Sequence, residues 1–258
     1  MEFESVAANL RESFRVVAAN RASGELREME GVSIASAGAT FQMFNAAFLS
    51  APVASETQMD LRVAQAAVYF ATRGQRWSYW ICRGWLDGRT GQRLHVVLRK
   101  RHLAQAVELP GMFAEDVAAP ARDLPPIDVR RVCDGPVKDA FCAVGSTCFN
   151  VPLGWFCEVF DGRSVWDDFA AYVGYVDDQP VSTAATVIGG GVVGVYNVAT
   201  MPGHRRAGYG EAVMRHALNE ARRTHGLSRT ILQSSPQGFH LYQRMGYRTV
   251  TGVAVFCS

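Results

Sequence analysis

Net charge is scarce in this 258-residue chain: 26 basic residues against 24 acidic ones leave only +2. Divided near residue 126, the first part holds 14 basic and 13 acidic residues, and the second 12 and 11. Neither part has the positive excess of a nucleic-acid-binding or membrane-surface module. Metal-binding cysteine motifs are missing too. Cys82, Cys133, Cys142, Cys148, Cys157 and Cys257 show no C-x-x-C spacing and no accompanying histidine ladder. They read as reduced thiols of a cytoplasmic protein, with no metal site. No apolar run is long enough to span a bilayer. The opening MEFESVAANLRESFRVVAANR places acids where a secretory leader has a basic region. Its Phe3, Val6, Leu10, Phe14 and Val17 recur at helical spacing, which predicts an amphipathic helix.

What is present is ordinary globular material. Hydrophobic residues make up 48% and charged residues 19%, enough for a sizeable core. The length suits one large domain or two ordinary ones. Three prolines in AAPARDLPPID, residues 118–128, interrupt regular structure. They predict a first domain over 1–120, a linker over 121–126 and a second domain over 127–258.

In the second part, IDVRRVCD reads as a strand and GPVKDAFCAVGSTCF as a helix. Two β-branched runs flank the turn DDQP, GGG at 189–191 makes another turn, and VVGVYNVAT is a third strand. A helix from about Gly208 to Thr224 buries Val213, Met214, Ala217, Leu218 and Ala221, and Gly226 ends it. SRTILQSS is a strand, PQGFHLYQRMG a short helix with proline in its first turn, and YRTVTGVAVFC the last strand. In the first part, GVSIASAG, FQMFNAAFLS and RWSYWICRG read as strands. SETQMDLRVAQAAVYFATRG and GQRLHVVLRKRHLAQAV read as helices. That alternation echoes the second part from Val192 onward as a weak internal repeat. Trp77, Trp80 and Trp85 read as core or interface, or as a wall for an apolar ligand; LRKRHL at 98–103 reads as a solvated helix face.

MPGHRRAGYGEAVMRHALNEAR, from Met201 to Arg222, raises the functional question. A helix start exposes unpaired N–H groups and the positive end of the dipole, so it holds phosphate. Gly208 and Gly210 remove Cβ atoms where a ligand would approach, and Arg205 and Arg206 add charged donors. A packing role for Gly208 stays open. Glu211 and Ala212 follow Gly210, so a Walker A loop is excluded; no third glycine near Met214 completes a dinucleotide fingerprint. What remains is R-x-x-G-x-G, at Arg205, Gly208 and Gly210.

VYNVATMPGHRRAGYGEAVMRHAL followed by ILQSSPQGFHLYQRMGYRTV resembles the two cofactor motifs of the GCN5-related N-acetyltransferase (GNAT) superfamily, over roughly residues 127–258. The resemblance implies an α/β fold. A GNAT-like mixed sheet flanked by helices forms the C-terminal domain, and a second, smaller, degenerate GNAT-like α/β domain precedes it. It implies acetyl-CoA as co-substrate and direct attack by the amine of a small-molecule or peptide acceptor. Val198, Ala199 and Thr200 would pair with the pantetheine arm. Arg205, Arg206, Ala207, Gly208, Tyr209 and Gly210 would cradle the pyrophosphate. Ser235 stands where many members have Asn. Tyr242 matches the tyrosine near the thioester sulfur and is the candidate proton donor. The third strand lacks the carboxylate that members often place there; Tyr196 and Asn197 occupy the region, and Glu158 is the candidate base. His204 reads as a loop residue. FLSAPVASETQMDL stands where the first part would need a phosphate turn, so the chain is expected to hold one cofactor site, with no nucleic-acid or membrane partner. The acceptor and the oligomeric state, a homodimer included, stay open. So does a non-catalytic acyl-CoA sensor, or an interaction module in which the glycine turn only packs.

Overall fold

The computed structural model describes residues 1–162 and 164–258. Helix α1 (Glu2–Ala19) opens the chain. Strands β1 (Glu25–Met29), β2 (Val32–Ser36) and β3 (Asn45–Leu49) form an antiparallel meander. Then come α2 (Glu56–Ala71), β4 (Ser78–Cys82), α3 (Gly88–Arg99) and β5 (Ala104–Ala114). The second half begins with β6 (Asp128–Arg131), α4 (Gly135–Phe149), α5 (Leu153–Val159) and the single turn α6 (Val165–Asp168). Its own meander is β7 (Phe169–Val176), β8 (Gln179–Gly189) and β9 (Val192–Thr200). It ends with α7 (Tyr209–His225), β10 (Thr230–Gln233), α8 (Phe239–Arg244) and β11 (Arg248–Cys257). No described helix is long and apolar enough to cross a membrane.

The repeat is fuller than the sequence pattern indicates. In each half a three-stranded meander leads through a helix to a strand parallel to the meander's last member: β4 beside β3, β10 beside β9. The two halves share one eleven-stranded sheet of order β1-β2-β3-β4-β11-β5-β10-β9-β8-β7-β6. Its centre is an exchange of strands. β5, from the first half, pairs with β10, and β11, from the second, pairs with β4; β5 and β11 pair with each other.

Period-two alternation distributes the core over both faces. Val253 and Val255 of β11 face one side with Trp80 and Phe113, while Ala254 and Phe256 face the other with Tyr79 and Ile81. The first face is covered by α1, α4, α5 and α6; the second by α2 and α3 in one half and α7 and α8 in the other. The apolar stripe predicted for α1 is its buried face, and Phe14 centres it, with ring centroids 5.1 Å from Phe48 and 5.0 Å from Trp80. Burying one such phenyl group contributes about 2–3 kcal/mol.

Some local expectations need correction. GQRLHVVLRKRHLAQAV is not one helix. It stops at Arg99, His102 takes a left-handed conformation at φ 59°, and the alternating residues from Ala104 form β5. The charged ELREM, unassigned from sequence, is the edge strand β1, where both faces reach solvent. Pro236 lies before α8 rather than in its first turn. Trp77 and Trp80 are core residues: Trp77 stacks on Phe70 at 4.9 Å, and Trp80 packs under α1. In LRKRHL, Leu98 and Leu103 are buried and Arg101 pairs with Asp60 at 2.7 Å.

Candidate functional site

β9 and β10 are hydrogen-bonded neighbours only from Val193–Thr230 to Val195–Leu232. Beyond that point β9 continues to Thr200 with no partner on its β10 side, so the sheet opens into a cleft. Tyr196, Asn197 and Val198 are partly exposed there, although β9 lies well inside an eleven-stranded sheet. The bend has a local cause. Asn197 adopts φ 50°, a left-handed value that asparagine tolerates, opposite a register shift between Thr183 and Ala185 of β8. Val198, Ala199 and Thr200 therefore lie along this free edge. Ala199 and Thr200 also have local partners: the Ala199 carbonyl accepts from Ser182 Oγ (2.6 Å) and the Thr200 carbonyl from Arg205 Nε (3.0 Å).

The arginine–glycine turn follows directly. Gly208 is the N-cap of α7 at φ 103°, a conformation for which glycine is suited, and no side chain caps the helix. The main-chain N–H groups of residues 206–211 find no acceptor among the described residues. Arg205 and Arg206 are exposed and unpaired with any described carboxylate, while Glu211 in the first turn is held by Arg215 at 2.8 Å. The result is a concentration of donors and positive charge. Gly210 also lets α7 start against β9, because a Cβ there would meet Thr200 Oγ1 at 2.8 Å. Ala207 and Tyr209 complete the turn, and the His204 ring lies 6.1 Å from that of Tyr209 with Nδ1 buried. The far end of α4 also reaches here: burial raises the Cys148 thiol pKa, and the neighbouring Arg205 guanidinium acts against the rise.

Ser235, exposed after β10, accepts a hydrogen bond from Gly238 N, 3.3 Å to its Oγ. Tyr242, on α8, is buried beside Tyr247 with ring centroids 6.0 Å apart. Thr230 Oγ1 donates to Tyr247 Oη at 2.7 Å, a bond in which Tyr242 takes no part. Burial pushes the Tyr242 phenol up to about 12, so it remains a donor throughout the neutral range. Tyr196 donates to Asn9 Oδ1 at 2.7 Å, and Asn9 Nδ2 in turn holds the carbonyls of Val187, Gly189 and Val192. That network ties α1 to the hairpin of β9, and nothing in the sequence pattern of α1 indicated it.

Glu158 sits apart from this group of donors. Its Oε2 accepts from Thr40 N at 3.1 Å, its Oε1 pairs with Arg21 Nη2 at 3.3 Å, and Arg21 Nη1 donates to its carbonyl. The side chain ties α5 to the segments that follow α1 and β2.

The matching place in the first half is closed. After their pairing at Phe48–Trp80, β3 and β4 do not open: Val53 N donates to Trp85 O at 2.9 Å, and a parallel bridge joins Val53 to Leu86. The start of α2 is closed by its own side chains. Ser55 Oγ accepts from Gln58 N (3.2 Å) and Gln58 Oε1 from Ala54 N (2.8 Å). Buried Arg62 places Nη1 on the carbonyls of Ala51 and Pro52, at 2.7 and 2.8 Å.

The second half thus presents a mixed sheet that opens beside an uncapped, glycine-started helix. Residues 167–249, within the second half of the chain, match the family model of the acetyltransferase (GNAT) domain. No curated protein sequence matches the chain significantly. Solved structures share the fold across both halves. A GCN5-related N-acetyltransferase from Kribbella flavida superposes with a TM-score of 0.73 at 18% identity, covering 98% of this chain and 95% of that one. A GCN5-related N-acetyltransferase from Sphaerobacter thermophilus gives 0.56 at 12% identity, covering 88% and 80%. A tandem GNAT protein from the clavulanic acid biosynthesis pathway gives 0.57 at 9% identity, covering 94% and 87%.

Proposed function

We propose that the chain is an acetyl-CoA-dependent N-acyltransferase with a single cofactor site, in the second half, and that the first half is a degenerate copy of the fold. The observation that carries this reading is the contrast between two helix starts. The N-terminus of α7 has free N–H groups, two unpaired arginines and an open strand edge beside it, whereas that of α2 is self-capped and closed. The residues present fit the group. The turn from Arg205 to Gly210 would hold the pyrophosphate, the edge from Val198 to Thr200 the pantetheine amides, and Ser235 the other wall of the cleft.

Acetyl-CoA supplies a thioester whose carbonyl carbon takes an amine nitrogen while the thiolate leaves. Tyr242 serves this chemistry as a hydrogen-bond donor. A phenol near 12 is a weaker acid than an ordinary thiol near 8.5, so complete proton transfer from it would run about 5 kcal/mol uphill. Tyr196 accepts no proton near neutrality, because burial raises its pKa as well. Glu158 is committed to Arg21 and Thr40 and acts as a tether. The amine therefore arrives neutral or loses its proton to water, and the rate should climb with pH towards the acceptor's own pKa. The acceptor is a small-molecule or peptide amine.

Calorimetric titration of acetyl-CoA into the wild type, Gly208→Val and the double variant Arg205→Ala/Arg206→Ala tests the reading. Micromolar binding, lost with valine and weakened at least tenfold in the double variant, is expected. The exposed arginines bring no backbone strain of the kind valine brings at φ 103°, and thermal unfolding of the double variant separates ligand loss from loss of the Arg205–Thr200 bond. A wild type that binds no acetyl-CoA would sink the proposal.

A further inference from the structure

We propose that Arg122, in the stretch joining the two halves, is a phosphate ligand for the nucleotide end of the cofactor; this rests on the acyl-CoA reading above. The stretch lies along α7. Near its start Asp116 pairs with Arg222 in the last turn of that helix (3.4 Å), and Ala118 N donates to Met245 O beyond α8 (3.0 Å). At its far end it reaches the glycine turn. Arg122 Nη2 donates to the carbonyl of Arg206 at 3.0 Å. A Cβ on Gly208 would lie 3.4 Å from that same nitrogen, 3.0 Å from Pro125 Cδ and 3.7 Å from Leu124 Cδ2. The guanidinium is thus fixed at the mouth of the turn through one nitrogen, with most of its five donors free.

Charge argues in the same direction. Arg122, Arg205 and Arg206 are all exposed, and none forms an ion pair with a described carboxylate. Twelve other arginines do form such pairs, so acids are not in short supply. Asp123, next to Arg122, is exposed and makes no described ion pair, and Glu211 is occupied by Arg215. Three like charges gathered beside six free N–H groups repel one another until an anion arrives. The planar fork of arginine matches two oxygens of a phosphate. The connecting stretch is then a wall of the cofactor site as well as a link between halves, which accounts for its seat against Gly208.

Coenzyme A and its 3′-dephospho form should be titrated into the wild type, Arg122→Gln and Arg122→Lys at low and high salt, with thermal unfolding as the check on folding. Glutamine should weaken coenzyme A binding about tenfold and flatten its salt dependence, and lysine should restore part of both. A loss confined to coenzyme A assigns Arg122 to the 3′-phosphate; an equal loss with both ligands assigns it to the pyrophosphate. Unchanged affinity and salt dependence in a folded Arg122→Gln overturns this proposal and leaves the acyl-CoA reading standing. A wild type that binds neither ligand overturns both.

Discussion

Tyr242 matches a motif tyrosine, whereas Glu158 is a candidate because the third strand lacks a carboxylate, and their surroundings separate them further. Tyr242 is buried beside Tyr247 without a hydrogen bond between them, and desolvation raises its pKa. Tyr242→Phe removes one hydroxyl without opening a cavity. Acetyl-CoA affinity should stay within twofold, and kcat should fall about 100- to 1,000-fold, the effect of one lost donor to developing charge. The variant has a second signature. A phenol near 10 when unfolded and about 12 when folded adds stability that is complete below pH 10 and lost as pH rises through 12. Alkaline unfolding of Tyr242→Phe, followed by circular dichroism, should therefore lose about 3 kcal/mol of pH dependence over that interval. Glu158→Gln keeps an acceptor for Thr40 N and loses the charge facing Arg21. It should lower stability by about 1 kcal/mol in thermal or urea unfolding and leave kcat/KM and its pH profile unchanged; a pH limb present in the wild type and absent from the variant would restore Glu158 as a base.

At the scale of elements, α7 and α2 follow equivalent strands and differ in how their first turns are closed. Ser55 Oγ takes the amide of Gln58 and Gln58 Oε1 that of Ala54, whereas Gly208 offers no side chain to do so for α7. Ser55→Ala should cost about 1 kcal/mol in urea unfolding and, on the proposed single-site reading, leave acetyl-CoA affinity unchanged. Much of this was legible in sequence. The run of Arg205, Gly208 and Gly210 at the start of an amphipathic helix marked the turn, and β-branched runs between DDQP and GGG marked the hairpins. Where the sequence reading stopped, long-range contacts decide the structure. The strand β5 hides behind a helix-like run of arginines, because its alternation begins only after His102 turns left-handed. The Asn9–Tyr196 bond joins residues 187 positions apart. The closure of the first half by Val53 and Leu86 depends on two loops that meet only in the fold.

Across the whole molecule, the exchange of β5 and β11 makes the two halves one folding unit. In an isolated first half β4 would face solvent along the edge that β11 covers, and β5 would lose both of its neighbours, β11 and β10. In an isolated second half, β11 would lose both β4 and β5, and β10 would lose β5. Helix α1 adds to the dependence, because it packs on strands of both halves and Asn9 anchors the hairpin of β9 from the first half. Exposed edges of this length favour association with other chains over folding. Residues 1–126 and 127–258 produced separately should therefore lack cooperative unfolding transitions and should aggregate. When the two are refolded together, a one-to-one complex with a single sharp transition and acetyl-CoA binding should return. The measurement is thermal unfolding of each piece and of the mixture. Cooperative unfolding of residues 127–258 alone, with cofactor affinity intact, would mean that the exchanged strands are dispensable to the site and that the first half does no more than lie beside it.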